Sequence, residues 1–252
     1  MAEEQSEMSF WDHLEELRWR LIKSIIAVVV CAIPCGIFWR RIFDIVMVYP
    51  LSLSDPRPKL IFTAPAEAII LSLKIAVAGG IIIACPIIFY QLWKFIAPGL
   101  YKSEKVVVLP TVIVSSLSFL LGIGFSYLVL PYVLKFLAGY ASGSLEPFFK
   151  ANEYMGFIIK IVLAFGSVFE LPVISFALTK LGVLTPKILL SKFKYALVIM
   201  FIMAALLTPP DIISQLFLAG PLITLYFISV LVSWIALNKQ KNESASLKKA
   251  SA

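Results

Sequence analysis

Glu170 is the residue whose chemistry first needs an explanation, because it is a carboxylate within the apolar run FGSVFELPVISF (165–176). An ionised side chain at the centre of a bilayer costs about 2.5–3.5 kcal/mol, so such residues usually have a function. Pro172 frees a backbone carbonyl one turn back, which favours a locally hydrated site. The pattern fits proton transfer by a titrating acid, a functional polar contact, or a polar plug between helices.

Two further glutamates, one in an amphipathic segment and one in a loop, lie outside the apolar runs. Glu16 belongs to SFWDHLEELRWRL (9–21), which is typical of an interfacial helix. Glu104 follows a Pro-Gly turn in QLWKFIAPGLYKSEK (91–105). If both carboxylates face one groove, they suit a ligand with two guanidinium groups, because each carboxylate–guanidinium pair can be bidentate. The alternatives are a helix that only feeds the first span and an ordinarily solvated loop glutamate.

A further polar cluster is LTPPDIISQ (207–215), where two prolines precede Asp211. The prolines predict a tight turn between two spans. Asp211 is placed to cap the helix that follows, and Gln215 lies in the first turns of that helix. Capping alone is a sufficient explanation of Asp211.

Signatures of catalysis and of cofactor binding are missing from the sequence. It has no GxSxG, HExxH, Walker A or Gly-rich dinucleotide motif. The single histidine, His13, excludes a His-based metal cluster and a Ser-His-Asp triad, and its position favours a packing or capping role. We therefore expect a protein that is not an enzyme and that binds no cofactor, metal or nucleic acid.

The composition is that of an integral membrane protein. The 252 residues are 60% hydrophobic and only 15% charged, with a mean hydropathy of +0.94. Soluble domains are typically about 45–50% apolar and about 25% charged. The three cysteines lie in apolar runs, where they are interpreted as small buried hydrophobes. One polytopic domain in the lipid bilayer follows.

Six apolar runs are candidates for spans, which need about 20 residues each. The fifth has only 13 residues, about 20 Å as a helix, and predicts a thinned bilayer or an oligomeric seam. The runs are 21–38, 68–90, 106–130, 154–179, 195–207 and 212–237. We expect 1–237 to form one membrane domain and the polar segment 238–252 to be a disordered tail.

The positive-inside rule predicts the orientation. With six spans, one face holds both termini and the loops 91–105 and 180–194, and 14 of the 22 basic residues lie on or next to these segments. Both termini are therefore predicted to be cytoplasmic. Prolines within spans one, two, three and six predict kinked helices that splay into a bowl, with kinks for packing alone as the alternative.

Four motifs, in order, resemble those of the TatC family, the receptor subunits of twin-arginine protein translocases. HLEELRWRL (13–21) is similar to the family's H-L-x-E-L-R-x-R-L, and WKFIAPGLYKSEK (93–105) to F-I-x-P-x-L-x-x-x-E. FGSVFELPV (165–173) resembles the fourth-span motif, and LLTPPDIISQ (206–215) resembles the turn TPPD-x-x-SQ. With the motifs in matching order and spans, the resemblance extends over all but about the first eight and last fifteen residues.

The resemblance implies an all-α, six-span, glove-shaped protein of the bacterial inner membrane with both termini in the cytoplasm. It implies binding of twin-arginine signal peptides of folded cargo, assembly with the single-span subunits TatA and TatB, and export driven by the proton-motive force. A homo-oligomer within a receptor complex is expected.

The resemblance also implies roles for individual residues. Glu16 and Glu104 would contact the two arginines, and Glu170 would lie on the concave membrane face. The remaining residues implied to shape the signal-peptide site are Leu17, Arg18, Phe95 and Pro98, and those implied to lie near docked TatA and TatB are Asp211 and Gln215. The chain departs from the family at Phe227, where an acidic residue is frequent.

Two other functions fit part of the pattern. A proton-coupled transporter of a small solute would use Glu170 as its titrating group, although the sequence shows no inverted pair of broken helices around a midplane site. A scaffold protein would use its polar residues only to hold helices together.

Overall fold

The structure, a computed structural model, describes residues 10–53, 58–96, 108–139, 148–207 and 212–250. These residues form nine α-helices, one π-helix and two short strands. In chain order they are α1 (Phe10–Ile37), α2 (Trp39–Phe43), the π-helix (Asp44–Val48), α3 (Tyr49–Ser52), β1 (Lys59–Ile61), α4 (Glu67–Ile96), α5 (Val108–Ala138), β2 (Phe148–Lys150), α6 (Ala151–Phe169), α7 (Leu171–Lys180), α8 (Pro186–Leu207) and α9 (Ile212–Ala250).

Six segments are long and apolar enough to cross a membrane, so the predicted six-span, nearly all-helical fold is confirmed. They are Trp11–Ile37, Glu67–Ile96, Leu109–Ala138, Ala151–Lys180, Pro186–Leu207 and Gln215–Gln240. Large apolar side chains are exposed along them, as lipid-facing helices require. The amphipathic segment 9–21 does not form a separate helix, because from Phe10 onward it is continuous with the first span in α1.

The fifth spanning helix, α8, is longer than its apolar run. The Thr185 hydroxyl accepts a hydrogen bond from the Ile188 N–H (3.3 Å), and Pro186 takes the first helical position. The helix has 22 residues, about 33 Å, which is enough to cross a bilayer. Its first half contains three lysines, so the apolar part remains 195–207, and a thinned bilayer around it stays a prediction.

Two expected boundaries differ from the structure. The polar segment 238–252, expected to be disordered, continues α9 as helix as far as Ala250. Neither glycine nor proline interrupts the sequence after Pro221, which permits this continuation. The third span was expected to end at residue 130, but α5 continues through Pro131 to Ala138. Pro110 lies in the first turn of α5, where proline is tolerated, and so causes no kink in mid-span.

The antiparallel pair α1 and α4 is the most extensive helix packing among the described residues. A Cβ on Gly80 would lie 2.7 Å from the Val28 carbonyl oxygen and 2.9 Å from the Ala32 nitrogen. The neighbouring Gly79 likewise lies against Cys35. Because only a residue without a side chain fits at Gly80, the two backbones approach closely, as small residues allow in membrane helices.

A second close approach joins α5 to α6. A Cβ on Gly122 would lie 2.7 Å from the Phe165 carbonyl oxygen, and a Cβ on Gly166 would lie 2.6 Å from the Phe119 ring. Phe165 is itself buried, in the main apolar cluster. This contact places the start of α5 beside the end of α6, where Glu170 lies.

Glu170 is the residue at which the fourth span breaks into α6 and α7. Pro172 has no N–H, so the Val168 carbonyl loses the donor it would have in a continuous helix. The Glu170 N–H donates to the Ser167 carbonyl, three residues back rather than four (3.2 Å). The helix then resumes, with the Ile174 N–H donating to the Glu170 carbonyl (2.9 Å). The span ends at Gly182, whose φ of 73° permits a Schellman motif in which the Val183 N–H bonds to Leu178.

A small parallel sheet, which the sequence did not predict, joins the two long loops at one end of the helices. Lys59 pairs with Phe148 and Ile61 with Lys150. In the same region the Tyr154 hydroxyl donates to the Met47 carbonyl in the π-helix (3.3 Å). The described parts of the segments 43–67 and 131–153, which connect spans one to two and three to four, contain this sheet and the π-helix.

We expect Gly80→Ala to destabilise the protein by about 1–3 kcal/mol, because the added methyl overlaps the α1 backbone. The measurement is thermal unfolding of the purified protein in detergent. Gly124→Ala is the matched control, since nothing lies within 4 Å of a Cβ at Gly124 in α5. Equal unfolding temperatures for the two variants would contradict the close approach at Gly80.

Candidate binding site on α1 and α4, and the buried Glu170

The antiparallel packing of α1 on α4 brings the start of α1 against the end of α4. The His13 ring stacks on the Phe95 ring with centroids 4.2 Å apart and an interplanar angle of 15°. This contact accounts for the lone histidine by packing. It also places Phe95, a predicted site residue, beside the turn of α1 that carries His13 and Glu16.

Glu16 has one occupied and one open carboxylate oxygen. Its Oε1 accepts hydrogen bonds from the Arg20 guanidinium, through Nε at 3.0 Å and through Nη2. Its Oε2 is buried and has no hydrogen-bond partner among the described residues, and the His13 Nδ1 lies 3.7 Å away. The second oxygen is therefore available to a donor that enters the site.

Arg20 and Gln91 complete this arrangement, and neither was predicted from the sequence to be a site residue. The Arg20 Nη1 reaches the Gln91 Oε1 at 3.5 Å and so connects α1 to α4. The four-residue spacing of Glu16 and Arg20 is a helix ion-pair signal that could have identified Arg20. Gln91 carries no comparable signal, because it lies 71 residues away and only the packing of the helices places it here.

A cavity of about 450 Å³ adjoins Glu16. The residues that line it are Glu16, Trp19, Arg20, Lys23, Tyr90, Gln91 and Lys94. The Lys94 ammonium lies 5.6 Å from the centre of the Tyr90 ring. The described part of the cavity wall thus carries three cationic residues and one acidic residue, Glu16. The sequence had instead predicted a pair of carboxylates at this site.

The structure describes only some of the other residues that were predicted to bind the signal peptide. Leu17 and Arg18 are exposed on α1 and do not line the cavity. Glu104 and Pro98 lie outside the described residues. The convergence of Glu16 and Glu104 on one groove therefore stays a prediction.

Glu170 is 6% exposed and is a contact between helices in this structure. Its carboxyl group neighbours the Ser115 hydroxyl and the Phe119 backbone of α5. The Trp93 indole Nε1 donates to the same Ser115 hydroxyl at 2.9 Å, while the Glu170 Oε1 has no partner among the described residues. A polar chain of Trp93, Ser115 and Glu170 therefore links α4, α5 and the break in the fourth span.

This chain is better suited to holding helices than to relaying protons. An indole N–H donates a hydrogen bond but accepts none, so the chain ends at Trp93. Neither Ser115 nor Trp93 was predicted from the sequence to be a neighbour of Glu170. Their positions depend on the glycine contact between α5 and α6, which is a property of the packing.

Of the two predicted partner-contact residues, only Gln215 is described. The Gln215 Nε2 donates to the Phe201 carbonyl at 2.8 Å and so ties the start of α9 to α8. Asp211 lies outside the described residues. Phe227, at the position where the family often has an acid, packs on Phe193 with ring centroids 5.1 Å apart.

We expect Ser115→Ala to destabilise the protein by about 1–3 kcal/mol, because it leaves the Trp93 N–H and Glu170 without their shared partner. Thermal unfolding in detergent measures the change. Ser116→Ala is the matched control, since within the described part of the chain the Ser116 hydroxyl bonds only to Val112 of its own helix (2.8 Å). A Ser115→Ala variant that is no less stable than Ser116→Ala would contradict the chain.

A family model, similar proteins of known family and a solved structure all indicate the same family for this chain. The family model for TatC, Sec-independent protein translocase protein, matches residues 12–221. The TatC protein of Helicobacter pylori is 43% identical over 222 residues, which are 88% of this chain and 87% of the relative. That of Aquifex aeolicus is 41% identical over 237 residues, covering 93% and 98% of the two chains.

A solved structure, described as the crystal structure of the twin-arginine translocase receptor TatC, superposes with a TM-score of 0.80. It is 41% identical, and the match covers 89% of this chain and 99% of that one. The family is one of protein transport and is not enzymatic, and the six spans make this chain a multi-pass membrane protein. The chain belongs to the TatC family of Sec-independent protein translocase proteins.

Proposed function

We propose that this chain is the receptor subunit of a twin-arginine translocase and binds the Arg-Arg signal peptides of folded precursor proteins. The observation that carries the proposal is the Glu16 carboxylate, which already holds one guanidinium and keeps a buried, unpartnered oxygen. The similar solved structure is that of a twin-arginine translocase receptor, which supports the same assignment.

Glu16 suits an arginine ligand for a geometric reason. The guanidinium of Arg20 binds Oε1 through two nitrogens, so the carboxylate is already oriented for a planar fork. An entering arginine would give the free Oε2 a charge-assisted hydrogen bond, which is among the stronger kinds. Phe95, stacked on His13, offers an aromatic face beside that position.

The cations around Glu16 argue for a second carboxylate in the complete site. Arg20, Lys23 and Lys94 line the cavity and would repel two incoming arginines if Glu16 acted alone. We therefore assign the second arginine to Glu104. Leu17, Arg18 and Pro98 complete the proposed signal-peptide surface around these two carboxylates.

The chain acts within an assembled translocase. It lies in the bacterial inner membrane with both termini in the cytoplasm, and it assembles with TatA, TatB and further copies of itself for export driven by the proton-motive force. Asp211 and Gln215 lie near the docked partner subunits. Glu170 becomes a polar contact for an inserted signal peptide or partner span when its packing on Ser115 opens.

A small-solute transporter is the less favoured alternative. Its titrating group would be Glu170, yet the hydrogen-bonded chain from Glu170 ends at an indole. Uptake of solute by the purified protein, in vesicles with a pH gradient, would support the transporter if Glu170→Gln abolished it.

We expect Glu16→Ala and Glu104→Ala each to weaken signal-peptide binding about tenfold or more, because each removes one charge-assisted pair. The measurement is site-specific crosslinking of a twin-arginine signal peptide to the full-length protein in membranes, together with export of a folded reporter. Glu15→Ala is the control, since Glu15 is an adjacent exposed glutamate that does not line the cavity. Unchanged binding and export in both variants would refute the site.

A signal peptide in which Lys-Lys replaces Arg-Arg should bind more weakly to the wild-type protein. Lysine keeps the charge but lacks the planar fork that matches a carboxylate. Titration of the two peptides against the same membranes measures the difference. Equal affinities would show that charge alone, and not guanidinium geometry, is recognised.

A further inference from the structure

Lys160 is a charged residue in the interior of a spanning segment. It is the tenth residue of α6, so its Cα lies about 13–14 Å along the helix axis from Ala151. The side chain is exposed and makes no hydrogen bond or ion pair within the part of the chain that the structure describes. An unpaired charge at membrane depth is costly, and by default such residues mark a functional contact.

Lys74 supplies a second positive charge beside the same helix. Its Nζ donates to the Asn152 side-chain oxygen at 2.6 Å and to the Asn152 carbonyl at 3.3 Å. Both acceptors are neutral, so they satisfy the donors but do not cancel the charge. The ammonium of Lys74 therefore lies near the Ala151 end of α6.

The two lysines border one face of α6. A Cβ built on Gly156 would lie 3.9 Å from the Lys74 Nζ. Lys160 is four residues further along the helix, so its Cβ lies about 5–6 Å from that of position 156. Gly156 has no side chain, so it adds no bulk to this face beside the Lys74 ammonium.

The two described carboxylates nearest in sequence to this face contact other groups, and neither forms an ion pair with Lys74 or Lys160. Glu153 pairs with Lys150 at 3.4 Å. Glu67 accepts hydrogen bonds from the Thr63 N–H and hydroxyl, both at 2.7 Å. The face thus carries two positive charges and no described counter-ion.

We propose that the face of α6 formed by Gly156 and Lys160, with Lys74 beside it, binds a transmembrane helix of another translocase subunit through a carboxylate on that helix. The proposal rests on the translocase function proposed above. The carboxylate lies at the depth of Lys160, about 10–14 Å below the level of Ala151. In a low-dielectric setting such a pair is stronger than in water, which offsets the cost of both charges.

Depth favours a carboxylate on a helix over a lipid phosphate. Phosphates lie outside the hydrocarbon core, and a lysine stem reaches only about 6 Å when it extends towards them. Lys74 already reaches Asn152 at the end of α6, whereas Lys160 begins eight residues deeper. The end of an extended Lys160 side chain therefore lies about 6 Å deeper along α6 than Asn152, the residue that Lys74 reaches.

The test uses a photo-crosslinker, p-benzoylphenylalanine, in place of Ala164, one turn beyond Lys160 on the same face. The full chain is expressed with the other translocase subunits, irradiated in membranes, and the adducts are sequenced by mass spectrometry. We expect an adduct with a transmembrane peptide that contains Asp or Glu. Lys160→Met should reduce its yield about tenfold or more, and Lys160→Arg should retain it.

Lys135→Met is the matched control, because Lys135 is an exposed lysine three residues from the end of α5 and should leave the adduct unchanged. Lys160→Glu should abolish the adduct, and lysine in place of the identified partner acid should restore it. An adduct that is indifferent to Lys160→Met, a charge swap that restores nothing, or adducts with phospholipid alone would overturn the proposal. Signal-peptide crosslinking at Glu16, measured in the same membranes, reports separately on the proposed receptor function.

Discussion

The close approach of α1 to α4 at Gly80 determines where the polar ends of both helices meet. Lipid tails provide no hydrophobic drive between helices, so backbone contact and interhelical hydrogen bonds must hold the pair. With Gly80 against Val28, the antiparallel register places Glu16 and Arg20 beside Gln91. The candidate binding site is therefore a consequence of a packing contact several turns away.

The same principle operates at the break in the fourth span. Gly166 lies against Phe119, which brings the Ser115 hydroxyl within reach of both Trp93 and Glu170. Polar groups in a membrane must find partners inside the protein, and here three helices share one hydroxyl. A carboxylate that would be costly in lipid thus becomes part of the joint between helices.

Some charged groups of this protein have partners within the chain, and others do not. Lys74 meets a neutral amide, and Glu16 meets Arg20, so each has at least one partner within the chain. Lys160 has none among the described residues, and the second oxygen of Glu16 accepts no described hydrogen bond, although the His13 Nδ1 lies 3.7 Å away. In a multi-subunit translocase, groups left without partners in one chain are natural points of contact for a ligand or another subunit.

Sequence alone determined the number of spanning helices and the family, since hydropathy and motifs are local properties. It indicated that Pro172 frees a backbone carbonyl, but not that the fourth span divides into two helices at Glu170. It did not predict the β1–β2 sheet, because two three-residue strands nearly 90 residues apart carry too little pattern. Nor did it identify Gln91 or Ser115, whose roles exist only once glycine contacts set the helix registers. Tertiary structure decided which polar groups meet, because that depends on the distance between backbones.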